Sequence, residues 1–193
     1  MNSSQLSSLQ KRGVLAFHAL TGNDYVSSFF GKGKASCYKI YKEFPHLQAA
    51  FCDLGNSSTV DEQTKEVLKE YICKVYGKGR LNDVDEARRE LFWKRLQREN
   101  RISDLSVLPP CDRTTEIHIK RANFVALMWR KARSSMLNLE DPSQHGWTED
   151  LEPDWETEPY PEDIEQLLIR DNVDAASVDS DDDSDLQLED IDL

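Results

Sequence analysis

The charge of this chain reverses along its length, and that reversal limits which part can fold. Residues 1–140 hold 23 Lys/Arg against 16 Asp/Glu, a net of +7. Residues 141–193 hold one Arg against 20 acids, a net of −19. A segment that dense in one sign of charge, with few apolar side chains, cannot bury enough surface to offset the entropy of ordering it. The core therefore has to come from the first 140 residues. The sequence predicts a basic helical domain over 1–140, a partly ordered Trp/Pro/acidic segment over 141–170, and a disordered acidic tail over 171–193. The net charge of −12 conceals two unlike parts, and a basic body is compatible with a nucleic-acid partner.

Within the body the apolar residues recur at helical spacing. Leu6, Leu9, Val14, Leu15, Phe17 and Leu20 predict a helix over 5–21 that ends at Gly22, with Gly13 as its weak point. A second helix runs over 34–43 and is stopped by Pro45. Leu47, Ala50, Phe51 and Leu54 mark a short third one. Val60, Val67, Leu68, Tyr71, Ile72 and Val75 give the strongest period, over 60–76, with Thr59 and Glu62 as a capping box. Gly77-Lys78-Gly79-Arg80 reads as its glycine C-cap. Asp83 and Glu86 offer a capping box for the next helix, which carries Arg88, Arg89, Lys94, Arg95, Arg98 and Arg101. That basic face is either a phosphate-tracking surface or a solvated face paired with Glu86, Glu90 and Glu99. A last helix covers about 115–134, with Trp129 in the core and His118 at the surface or in a cap. No segment alternates with period two, so the fold class is mainly α.

One motif stands apart from this helical pattern. Gly22-Asn23-Asp24-Tyr25 is followed by Gly31-Lys32-Gly33-Lys34. Paired glycines let a backbone approach a ligand, and the amides of such a turn form an anion nest. A helix beginning at Lys34 adds its positive end, and two lysines add full charge. Gly31, Lys32, Gly33 and Lys34 are the candidate phosphate grip. The alternative is an ordinary helical hairpin with a glycine turn.

The spacing Gly-x-Asp-Tyr-x5-Gly-x-Gly resembles the flap-endonuclease superfamily, whose catalytic domain is PIN-like. That resemblance implies that Asp24 is a metal carboxylate, with magnesium as its ion, and that residues 31–34 grip duplex phosphates without reading sequence. A wider set of motifs is similar to the C-terminal parts of large animal proteins that look like PIN-like or transposon-associated nuclease relatives. These are His18-Ala19-Leu20-Thr21-Gly22, Gly31-Lys32-Gly33-Lys34, Glu86-Ala87-Arg88, Leu108-Pro109-Pro110, Lys120-Arg121-Ala122 and Gly146-Trp147, in that order, over roughly residues 10–168. In such relatives the other carboxylates lie upstream, on strands that this chain does not contain. A cysteine-rich segment stands where this chain has its acidic tail. The resemblance thus implies a truncated derivative, catalytically incomplete on its own, with no catalytic residue assigned. It also implies that the stretch around Trp147 docks back on the helical body.

The expected function is sequence-nonspecific nucleic-acid binding. One alternative is a magnesium-dependent nuclease that uses Asp24 with carboxylates from a partner chain or from Asp53, Asp83 or Asp85. Another is a protein-interaction module acting through the acidic tail and the Trp147/Trp155 segment. In the tail, Leu186, Leu188, Ile191 and Leu193 alternate with acids, and Ser180 sits in an acidic context suited to phosphorylation. The tail is also expected to imitate phosphates and lower the body's affinity for nucleic acid.

Residues 1–10 lack the apolar centre of a secretory signal, and no window of about eighteen apolar residues offers a membrane span. Cys37, Cys52, Cys73 and Cys111 are far apart and form no Cys-x-x-Cys pair, so reduced, inert thiols are expected rather than a zinc finger. These features predict an intracellular protein, nuclear or cytoplasmic, with no membrane partner.

Overall fold

A computed structural model of the chain describes residues 6–99 (Glu99 by its backbone only), 104–132, 134 and 140–147. These residues form six α-helices and one 3-10 turn, and contain no β-strand. The helices are α1 Ser8–Leu20, α2 Lys34–Glu43, α3 Pro45–Asp53, α4 Glu62–Val75, α5 Val84–Glu99 and α6 Asp112–Lys131. The 3-10 turn is Pro142–His145. No helix among the described residues is long and apolar enough to cross a membrane.

The ends of the helices follow from local chemistry. Ser7 and Gln10 close α1 with a reciprocal capping box: the Gln10 amide donates to Ser7 Oγ at 3.1 Å, and the Ser7 amide to Gln10 Oε1 at 2.9 Å. Pro45 does more than stop α2, since it occupies the first turn of α3, where its missing N–H costs nothing. The expected Thr59/Glu62 box does not cap α4. Asp61 does so instead, accepting from the Thr64 amide at 2.9 Å and the Thr64 hydroxyl at 2.7 Å. The aspartate wins because it collects two donors where the threonine hydroxyl could collect one. At the other end the Lys78 amide reaches the Cys73 carbonyl at 2.8 Å and the Gly77 amide reaches Lys74 at 3.0 Å, the Schellman pattern that the glycine pair suggested.

An aromatic chain joins the first four helices. Phe17, Tyr41, Phe51 and Tyr71 follow one another at centroid separations of 5.1, 5.3 and 5.0 Å. Both tyrosines are fully buried and both hydroxyls are satisfied: Tyr41 donates to the Gln10 carbonyl at 2.8 Å, and Tyr71 to the Cys37 carbonyl at 3.1 Å. Buried rings with a satisfied polar tip give large apolar burial without an orphaned group. Gly13 sits where α1 meets this chain. A β-carbon there would lie 2.7 Å from Tyr41 Oη and 3.1 Å from Phe51 Cβ. The residue that looks like a flaw in α1 is thus what lets the helices approach.

α6 packs against α1 and α4. Its buried Asn123 organises the loop after α3, accepting from the Gly55 amide at 2.7 Å and donating to the Ser57 carbonyl at 2.9 Å. Residues 140–147 fold back onto α6. The Arg121 guanidinium donates to the Gly146 carbonyl at 2.6 Å, and Phe124 stacks on His145 at 4.5 Å and meets Trp147 at 5.6 Å. Docking around Trp147, implied by the resemblance, is what this segment does. Trp155, Ser180, the expected short helix at 164–169 and the whole acidic tail lie outside the described residues.

Candidate functional site

The Gly-x-Gly turn uses its two glycines differently. Gly31 has φ +66°, which L side chains rarely adopt, and it carries a turn closed by the Lys32 amide to the Phe29 carbonyl at 3.1 Å. Gly33 is extended and is the N-cap of α2, with no side-chain cap. A β-carbon at either glycine would meet nothing within 4 Å.

The two lysines of the motif point to different neighbours. Lys34 turns back toward α1, where its ammonium donates to the Gly22 carbonyl and to His18 Nδ1. His18 in turn stacks on Trp129 at 5.5 Å. Desolvation and the Lys34 charge push the His18 pKa down, with Asp24 opposing them; desolvation likewise lowers Lys34. Lys34 therefore ties the hairpin together.

Lys32 lies with its ammonium 5.0 Å from the centre of the Tyr76 ring. There it joins Lys94, Arg95 and Arg98 around a cavity of about 240 Å³, walled by Tyr76, Leu91, Val107 and Leu108. Leu91, Lys94, Arg95 and Arg98 are at i, i+3, i+4 and i+7, so one face of α5 lines the cavity. Four cations from segments about sixty residues apart thus share one concave site with an aromatic floor. The α5 face splits between roles that the sequence left open. Arg88 is buried, and its guanidinium donates to the Pro109 carbonyl, which ties α5 to the proline connector. Glu90 pairs with Lys78 at 2.5 Å. Arg101 lies outside the described residues.

Asp24 is exposed, next to an Asx turn in which Asn23 Oδ1 accepts the Tyr25 amide at 2.9 Å. Among the described residues no group of three or more His, Cys, Asp or Glu could hold a metal ion. The other carboxylates considered have different work. Asp83 caps α5 by accepting the Asp85 and Glu86 amides at 2.8 and 3.0 Å, and Asp85 accepts the Asp112 amide at 2.9 Å. Both line an acidic hollow with Glu66 and Asp112, and the Lys69 ammonium sits in it. Lys69 is 2.7 Å from Asp112, 3.2 Å from Glu66 and 3.4 Å from Glu116. Burial works against its charge, but hydrogen bonds from Asp112 and Glu66 overcome that and push its pKa up. A resident ammonium already neutralises these acids. Asp53 is exposed at the end of α3.

His118 corrects the sequence expectation. It is neither at the surface nor in a cap, but 4% exposed, with Nε2 2.7 Å from the Leu20 carbonyl. Burial lowers its pKa to about 4, so it is a neutral Nε2–H donor and its role is structural. Burial likewise pushes the thiols of Cys37, Cys52 and Cys73 up, Cys73 to about 12, and all four cysteines are free. These thiols are protonated at neutral pH and poor nucleophiles.

The arrangement defines a mainly helical body with one basic cavity and no assembled catalytic centre among the described residues. No family model matches this chain, and neither a curated protein nor a solved structure matches it.

Proposed function

We propose that this chain is a sequence-nonspecific nucleic-acid-binding unit, with a PIN-like nuclease ancestry as its origin and no catalysis of its own. The observation that carries the reading is the convergence of Lys32, Lys94, Arg95 and Arg98 on one cavity. Phosphate contacts position a strand without specifying its sequence, and nothing in the cavity is suited to reading base edges. Tyr25, Phe30 and Trp93 are exposed aromatics, two of them beside the turn and one beside Lys94. Aromatic faces among cations are the usual stacking platforms for single strands. Within the motif, Lys32 is the phosphate contact, while Lys34 and the glycines hold the hairpin that presents it.

The test is a titration of full-length protein with a fluorescent single strand and duplex at several salt concentrations. Binding should weaken as salt rises, with a slope that falls when Lys32 and Lys94 are replaced by Gln. Absence of salt-sensitive binding to any DNA or RNA would remove this reading.

A further inference from the structure

We propose that the basic cavity takes a terminal phosphomonoester, either the phosphorylated end of a strand or a free nucleotide's phosphate, in preference to an internal phosphodiester. This rests on the nucleic-acid reading above and names the ligand group at that same site.

Charge matching comes first. An internal phosphodiester carries one negative charge, whereas a phosphomonoester carries about −1.5 to −2 at neutral pH and offers three strong acceptor oxygens. Four cationic side chains around one cavity exceed what a single diester can neutralise. Cations that track a backbone are spread along a line. Here Lys32 comes from the turn before α2, and Lys94, Arg95 and Arg98 from one face of α5, so they converge instead. Asp104 lies within the field of Arg95 and is the nearby carboxylate that an incoming anion has to outcompete.

Size and surroundings agree. The cavity, about 240 Å³, is smaller than the common range for drug-sized ligands and suits a compact headgroup. Tyr76, Leu91, Val107 and Leu108 line it with ring and aliphatic surface. Apolar walls lower the local dielectric and strengthen each charge pair, which rewards the more highly charged ligand. Burial pushes the Tyr76 hydroxyl up to about 12, so at neutral pH it stays protonated and adds no opposing charge. The exposed Phe30, two residues before Lys32, offers a surface for the nucleoside that follows the phosphate.

The experiment measures binding of full-length protein to one single-stranded oligonucleotide made four ways: with 5′-phosphate, 3′-phosphate, both or neither. Wild type is compared with Lys32→Gln/Lys94→Gln, and with Lys39→Gln as an exposed α2 control. Unfolding midpoints confirm that each variant is folded, and Lys94→Arg tests rescue by charge. The expected result is about tenfold tighter binding of a phosphorylated end, roughly 1.4 kcal/mol. That preference should be lost in the double variant and kept in Lys94→Arg and Lys39→Gln. Adenosine monophosphate competing as well as the phosphorylated strand assigns the free nucleotide, and a strand advantage assigns the strand end; either supports the cavity's chemistry. Equal binding of all four strands, weakened by the double variant, overturns the terminal-phosphate proposal and leaves the nucleic-acid reading standing. An end preference that survives in the double variant also overturns the proposal. No binding by any form overturns both.

Discussion

His118 on α6 and Leu20 at the end of α1, ninety-eight residues apart in sequence, are joined by a hydrogen bond of 2.7 Å from Nε2 to the carbonyl oxygen. The bond needs a protonated Nε2 and a neutral ring, because Arg121 adds its own positive charge to the desolvation that already disfavours the imidazolium. In the unfolded chain the ring titrates near its usual 6.5. Between that value and the folded value of about 4 the unfolded state binds more protons. Stability is therefore full above pH 6.5 and falls as the pH is lowered toward 4. The loss between pH 7 and pH 5 should be about 2 kcal/mol from this one group. Urea unfolding at the two pH values checks it. His118→Gln, which keeps a donor but does not titrate, should flatten the difference.

Gly13→Ala should destabilise the protein although alanine is the better helix former. The propensity gain is about 1 kcal/mol. Against it, the new β-carbon would sit 2.7 Å from Tyr41 Oη, 3.1 Å from Phe51 Cβ and 3.2 Å from the Gln48 carbonyl. Tyr41 cannot retreat without giving up its hydrogen bond to Gln10 and its ring contacts with Phe17 and Phe51. Overpacking of this kind costs about 1–3 kcal/mol, so the net change should be a loss. A higher urea midpoint for the variant would show that the interface yields instead.

Lys69→Met should cost about 1–3 kcal/mol, because it leaves Glu66, Asp112 and Glu116 facing one another without the ammonium between them. A double-mutant cycle with Asp112→Asn isolates the closest pair. A coupling energy under about 0.5 kcal/mol would mean that the acids are held apart by their own helices.

Where periodicity and caps are local, the sequence was a good guide. The bounds of α2 follow from Gly33 and Pro45, and the end of α4 from Gly77. What could not be read were partners brought in from far along the chain. Charged residues at helical spacing suggest a solvated face, yet Arg121 is 2% exposed, because Gly146 and Trp147 return to cover it. His118 has no sequence neighbour to pair with, and its acceptor is at the end of another helix. Lys32 and Lys34 look alike on the page. Lys34 is claimed by Gly22 and His18, twelve and sixteen residues back, while Lys32 finds Tyr76 and α5. The cavity itself depends on how α5 packs near the turn, which no local pattern encodes.

That division of labour predicts that the two lysines separate experimentally. Lys32→Ala should weaken binding to a single strand and lower the salt slope by about 0.7, the value for one lost phosphate contact. Its unfolding midpoint should move little, since a partly exposed cation–π contact contributes about 0.5–1 kcal/mol. Lys34→Ala should do the opposite, costing about 1 kcal/mol of stability through the lost bonds to Gly22 and His18 while leaving the salt slope nearly unchanged. A large loss of binding with Lys34→Ala at unchanged stability would restore the four-residue grip as a unit.

Removing residues 171–193 takes away ten Asp/Glu and no Lys/Arg. If that sequence competes with phosphates for the basic cavity, its removal should tighten single-strand binding by about tenfold at low ionic strength. The effect should shrink as salt shortens the screening length toward about 3 Å at 1 M. A general change in net charge would also tighten binding, so the shape of the response matters. Competition at the cavity requires that the gain disappear when Lys32 and Lys94 are Gln, because the tail and the strand would then have lost the same site. A gain that persists in that double variant points to overall charge repulsion. Unchanged affinity on truncation would remove any role for the tail in binding, and would turn attention to the partner that its alternating Leu186, Leu188, Ile191 and Leu193 could engage.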